Sequence, residues 1–126
     1  MPAPDKLERR PGLRVVADPA ALDRARWSGD DVLVLRTAPD EALALGATDV
    51  ELADEHAIVT EEAGFVGGIV DLDAVRHHIE WPLPTERPAL AQGSIAGVPA
   101  KLWLADDRVT LVVHAAYAAD LQDRLR

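Results

Sequence analysis

Cysteine is absent from this chain. Disulfides, thiolate metal sites, iron–sulfur clusters and cysteine nucleophiles are excluded with it. Aromatic residues are scarce, at 4%, so the interior has to be built from Val, Leu, Ile and Ala, and each large ring matters individually. No apolar run approaches the roughly 18 residues a membrane-spanning helix requires. Lys6, Arg9 and Arg10 have no apolar stretch behind them, so a secretory signal is not expected and a cytoplasmic location is. Basic residues are outnumbered: 13 Lys and Arg stand against 22 Asp and Glu, for a net charge of -9. That balance, with the arginines scattered, argues against nucleic acid or an anionic membrane as the partner.

The 126 residues are 48% hydrophobic, enough for one domain with its own core. Ten of the 22 acids come as pairs, Asp30-Asp31, Asp40-Glu41, Asp54-Glu55, Glu61-Glu62 and Asp106-Asp107, placed mostly between apolar runs as solvated turns would be. Ala100–Leu104 and Val109–Val113 alternate with period two around Asp106-Asp107, the pattern of a hairpin. In that register Leu104 faces Val109, Leu102 faces Leu111 and Ala100 faces Val113, while Lys101, Trp103, Thr110 and Val112 share the other face. A helix follows, with Tyr117, Leu121 and Leu125 as its apolar stripe.

The rest of the chain reads as short elements. Residues 1–12, rich in proline and charge, form a mobile arm. Leu13–Ala17 is a strand, and Asp18-Pro19 starts a helix running to about Arg26, ended by Ser28-Gly29-Asp30. Asp31–Arg36 is a strand apolar on both faces and hence central. Thr37–Gly46 reads as a short helix with acids in its first turn and Gly46 as its C-terminal cap. Val50–Leu52, His56–Thr60 and Gly64–Val70 are strands, and Asp71 caps a helix from Leu72 to about Glu80. Trp81-Pro82-Leu83-Pro84 ends it and leads, through Pro88, to a strand at Leu90–Ile95. The expected fold is α+β, a single domain over 13–126 with a mostly antiparallel sheet, short helices on one face, and a closing β-hairpin plus C-terminal helix.

No catalytic constellation stands out. Gly64-Phe65-Val66-Gly67-Gly68 matches neither the dinucleotide fingerprint nor the nucleotide loop, and reads as a kinked or bulged strand. His77 and His78 project about 100° apart on a helix, and Asp73 with His77 supplies two ligands without a third, so no metal site is expected. His114, at a strand end before a helix, needs no more than a side-chain cap or a partly buried neutral ring. His56, Ser28 and Ser94 have no nucleophile-elbow context. Trp27 and Trp81 are expected in the core. Trp103, opposite the Leu102 and Leu104 face, is the interface candidate, together with Lys101, Thr110 and Val112.

Arg36-Thr-Ala-Pro-Asp-Glu-Ala-Leu43 resembles the Pro-Asp-Glu-x-Leu segment of the small gamma subunit of heterotetrameric sarcosine oxidase. The closing strand–turn–strand and alanine-rich helix are similar to the end of that subunit. The family is related to the folate-binding domain of the glycine-cleavage T-protein, an α+β fold with an antiparallel sheet. Where its middle carries an Asp-x-Ser turn, this chain has Glu61-Glu62. The resemblance implies an accessory chain, since in that family the flavins, the folate and the chemistry belong to larger subunits, and no catalytic residue is carried over. Two functions are therefore weighed. One is a non-catalytic accessory or interaction domain without cofactors, docking on a larger subunit or on its own copy. The other is a small enzyme or ligand-binding domain using His77, His78 or His114 with nearby acids.

Overall fold

The structure is a computed structural model and describes residues 7–126. Its strands are β1 (Glu8–Arg9), β2 (Gly12–Val16), β3 (Arg26–Ala38), β4 (Glu41–Glu51), β5 (Ile58–Glu62), β6 (Phe65–Val70), β7 (Ala89–Ile95), β8 (Val98–Leu104) and β9 (Val109–His114). Its helices are α1 (Pro19–Asp23), α2 (Leu72–Arg76) and α3 (Ala115–Arg124). Every strand pairing is antiparallel, so the α+β class with short helices, a closing hairpin and a C-terminal helix is as expected. The strands divide between two sheets, where the sequence pattern had indicated one. The chain correspondingly forms two compact units, Arg10–Ala63 and a larger one made of residues 7–9 and Gly64–Arg126.

The smaller unit has the sheet order β3-β4-β2-β5. Leu13 and Val15 of β2 lie beside Ala44 and Ala42 of β4, and α1 adds Leu22 to the same cluster. Trp27, on β3, packs against it half-buried. Leu35, Leu43 and Leu45, on the opposite face, are fully buried too. The expected helix at Thr37–Gly46 is thus corrected to a strand. Ala42-Leu43-Ala44-Leu45 has good helix formers, but its run is apolar on both faces and satisfies a strand buried on both sides. The strand at Asp31–Arg36 lies within β3, at the sheet edge and not the centre, and Ser28-Gly29-Asp30 is absorbed into it through register shifts. The helix begun at Pro19 stops at Asp23, without a side-chain cap from Asp18.

The larger unit has the order β1-β6-β9-β8-β7. The last hairpin has the anticipated register, with Leu104 opposite Val109 and Leu102 opposite Leu111, closed by Ala105 N–H donating to Arg108 O at 3.0 Å. One face carries Val66, Val70, Ala91, Leu102, Leu104, Leu111 and Val113, and Val75 of α2 with Leu121 and Leu125 of α3 covers it. Tyr117 is not in that stripe: it is 46% exposed, and Ala118 packs on the core instead. Strand β6 pairs with β9 in continuous register, so its glycines introduce no bulge. Helix α2 ends at Arg76, leaving His77 and His78 beyond it, while Asp71 accepts from the Asp73 N–H at 3.1 Å as its cap. Strands β7 and β8 join through Ala96 (φ 51°) and Gly97 (φ 81°), a left-handed pair that matches strand twist.

Of the arm expected at 1–12, residues 1–6 lie outside the described residues. Glu8 and Arg9 pair with Gly67 and Val66, and Gly12 opens β2 opposite Glu62.

Candidate functional site

Alternation along four strands builds the second face of the larger sheet. Cross-strand pairing sets Ile69 beside Thr110, Thr110 beside Trp103, and Trp103 beside Leu90, a row running across the sheet. Ile69 is 46% exposed, and Thr110, Trp103 and Leu90 are half-buried. The next row holds Gly67, Val112, Lys101 and Gln92. Val112 is fully buried and Lys101 half-buried, so the four interface candidates occupy adjacent rows with unequal access. Sequence reasoning limited to the hairpin missed Ile69 and Leu90. The signal was present in the alternation of β6 and β7, but only the pairing order shows that both join Trp103.

Past this row the face ends in an aromatic group. Phe65 and His114 meet edge to face with centroids 5.3 Å apart, and His114 meets Tyr117 similarly at 6.3 Å. The Lys101 ammonium stands 5.7 Å from the Phe65 ring centre, within reach of a cation–π attraction. These residues line a hollow of about 470 Å³. His77 and His78 lie elsewhere, with Glu80 and Trp81 around a hollow of about 420 Å³. The structure therefore brings His77 and His78 to one hollow and places His114 at another. Among the described residues no three His, Asp or Glu side chains converge as metal ligands. Chemically the second face offers apolar contact around a half-buried indole, with hydrogen bonding from Thr110.

No protein-family model matches the sequence, and no curated protein matches it significantly. Among solved structures, the chain is similar to one of the heterotetrameric sarcosine oxidase from Corynebacterium sp. U-96, determined in complex with pyrrole 2-carboxylate. The TM-score is 0.69 at 15% identity, covering 95% of this chain and 80% of that one. What the two share is the fold. The Pro-Asp-Glu segment forms the turn between β3 and β4, where Arg36 bonds Asp23 at 2.6 Å and the Pro39 carbonyl at 2.6 Å. No helix is long and apolar enough to cross a membrane among the described residues.

Proposed function

We propose that this chain is a non-catalytic accessory subunit, of the sarcosine oxidase gamma type, that docks on a larger protein chain in the cytoplasm and takes no cofactor of its own. The observation that carries the reading is the row Ile69–Thr110–Trp103–Leu90. It is an apolar strip with a central tryptophan on the sheet face opposite α2 and α3. Tryptophan is among the residues most enriched at interface hot spots. Support also comes from the fold shared with a chain of a heterotetrameric enzyme.

The test is Trp103→Ala. Its melting curve should stay close to that of the parent, while association with the partner captured from native extract weakens by at least about 2 kcal/mol, the hot-spot scale. Sedimentation of the purified chain decides whether the partner is a second copy. A variant that loses about 3–5 kcal/mol of folding stability, as a core aromatic would, with association unchanged, would overturn the docking role.

A further inference from the structure

A separate hollow of about 380 Å³ lies between the end of α2 and the proline-rich connector, lined by Arg76, Ile79, Trp81, Leu83, Pro84, Thr85 and Arg87. The chain carries 22 acidic residues, yet none lines this hollow, and two guanidinium groups do. Neither arginine has a carboxylate partner among the described residues. Arg87 spends one terminal nitrogen on the Pro84 and Glu86 carbonyls, both at 2.9 Å, and the guanidinium of the exposed Arg76 makes no hydrogen bond or ion pair among the described residues. Two like charges beside one hollow repel each other, and an anion between them would relieve that repulsion.

The floor of the hollow is fixed. Ile79, Trp81 and Leu83 are half-buried against the core of the larger unit. The indole is pinned twice. Its Nε1–H donates to the Ser94 carbonyl at 2.8 Å, and its ring lies so close to Gly93 that a Cβ there would sit 2.4 Å from Cε2. Arg87 is likewise held by its two carbonyls, and its remaining N–H donors have no protein acceptor among the described residues. An aromatic wall and a pre-set guanidinium are what a carboxylate with a flat apolar body fits. The fork binds the two oxygens, and the ring lies on the indole.

We infer that this hollow binds a small carboxylate carrying an apolar ring, held by Arg76 and Arg87 and stacked on Trp81. The inference does not depend on the docking role of the opposite sheet face. The probes are benzoate, its neutral analogue benzamide, and inorganic phosphate, each titrated into the full chain while the Trp81 indole N–H is followed by NMR. Benzoate is expected to shift that resonance saturably, and Arg76→Gln to weaken binding about tenfold, the loss of one charge-assisted pair. Arg24→Gln, which removes an exposed charge in the other unit, is expected to change nothing. The Arg76 guanidinium has no partner to lose among the described residues, so its variant should melt as the parent does. Four outcomes would overturn the inference: no saturable shift with benzoate, benzamide binding as well as benzoate, phosphate binding more tightly than benzoate, or Arg24→Gln weakening binding as much as Arg76→Gln.

Discussion

Removing the Leu121 side chain is the sharpest test of how α3 is held. Leu121 is fully buried and belongs to the cluster that includes Val66, Leu102, Leu104 and Val113. A helix of 10 residues is marginal alone in water, so α3 owes its stability to this contact. Leu121→Ala deletes three carbons, a transfer loss of about 2.4 kcal/mol at about 0.8 kcal/mol per methylene. The sheet beneath is hydrogen-bonded on both sides of β9 and cannot collapse into the gap, so residual cavity adds about 1–2 kcal/mol. The expected total, about 3.4–4.4 kcal/mol, would be read from denaturant melts followed by the fluorescence of Trp81 and Trp103, both in the larger unit. Tyr117→Ala is the matched control. Tyr117 is 46% exposed and touches His114 only through a ring edge, so about 1 kcal/mol or less is expected. If Leu121→Ala loses less than about 1 kcal/mol, or Tyr117→Ala loses as much as Leu121→Ala, the assigned face of α3 is wrong.

Other perturbations probe other links. Gly93→Ala forces its Cβ against the Trp81 ring, and should cost about 1–3 kcal/mol as an overpacked site while exposing the Trp81 N–H to exchange. Ala96→Asn should stabilise by about 0.5–1 kcal/mol, because Asn-Gly suits two consecutive left-handed residues better than Ala-Gly; an unchanged or lower melting temperature would refute this. The Asp54 carboxyl accepts from the Asp18 N–H at 2.8 Å and the His56 N–H at 2.9 Å. These bonds, the Asp18 one first, hold its pKa below the ordinary aspartate value. A lowered folded pKa contributes stability fully above the unfolded value and loses it as pH falls through the folded one. The difference between the parent and Asp54→Asn should therefore vanish in acid, and an NMR titration giving an ordinary or raised pKa would refute the assignment. Added zinc should leave the melting temperature within error, and a stoichiometric, tight isotherm would instead point to His77 and His78.

The C-terminal third was legible because alternation and a short polar loop fix a hairpin locally. Once Leu104 meets Val109, the face of every other hairpin side chain follows. The segment Ala42–Leu45 was not legible for the opposite reason. Its residues favour a helix intrinsically, and only burial on both faces, a tertiary fact, makes it a strand. The edge position of β3 was hidden likewise, since an apolar run does not reveal which neighbour it lacks. Tyr117 fell out of the helix stripe because small Ala118 fits closer to the sheet. At the candidate site Trp103, Lys101, Thr110 and Val112 were assigned to one face from spacing alone, whereas Ile69 and Leu90 needed the strand order.

The pairing of Gly12 with Glu62 bears on what keeps β1 on the larger sheet. Strand β1 is two residues long, and it reaches β6 only after the whole of Arg10–Ala63 has intervened. Closing so long a loop costs roughly 3–4 kcal/mol in chain entropy, more than such a short ladder can offset. The smaller sheet removes that cost beforehand, because β2 and β5 lie side by side and hold the two ends of the excursion together. The Arg10–Ala63 segment thus acts as a clasp: loosening β5 should fray β1 from β6 before any other strand of the larger sheet.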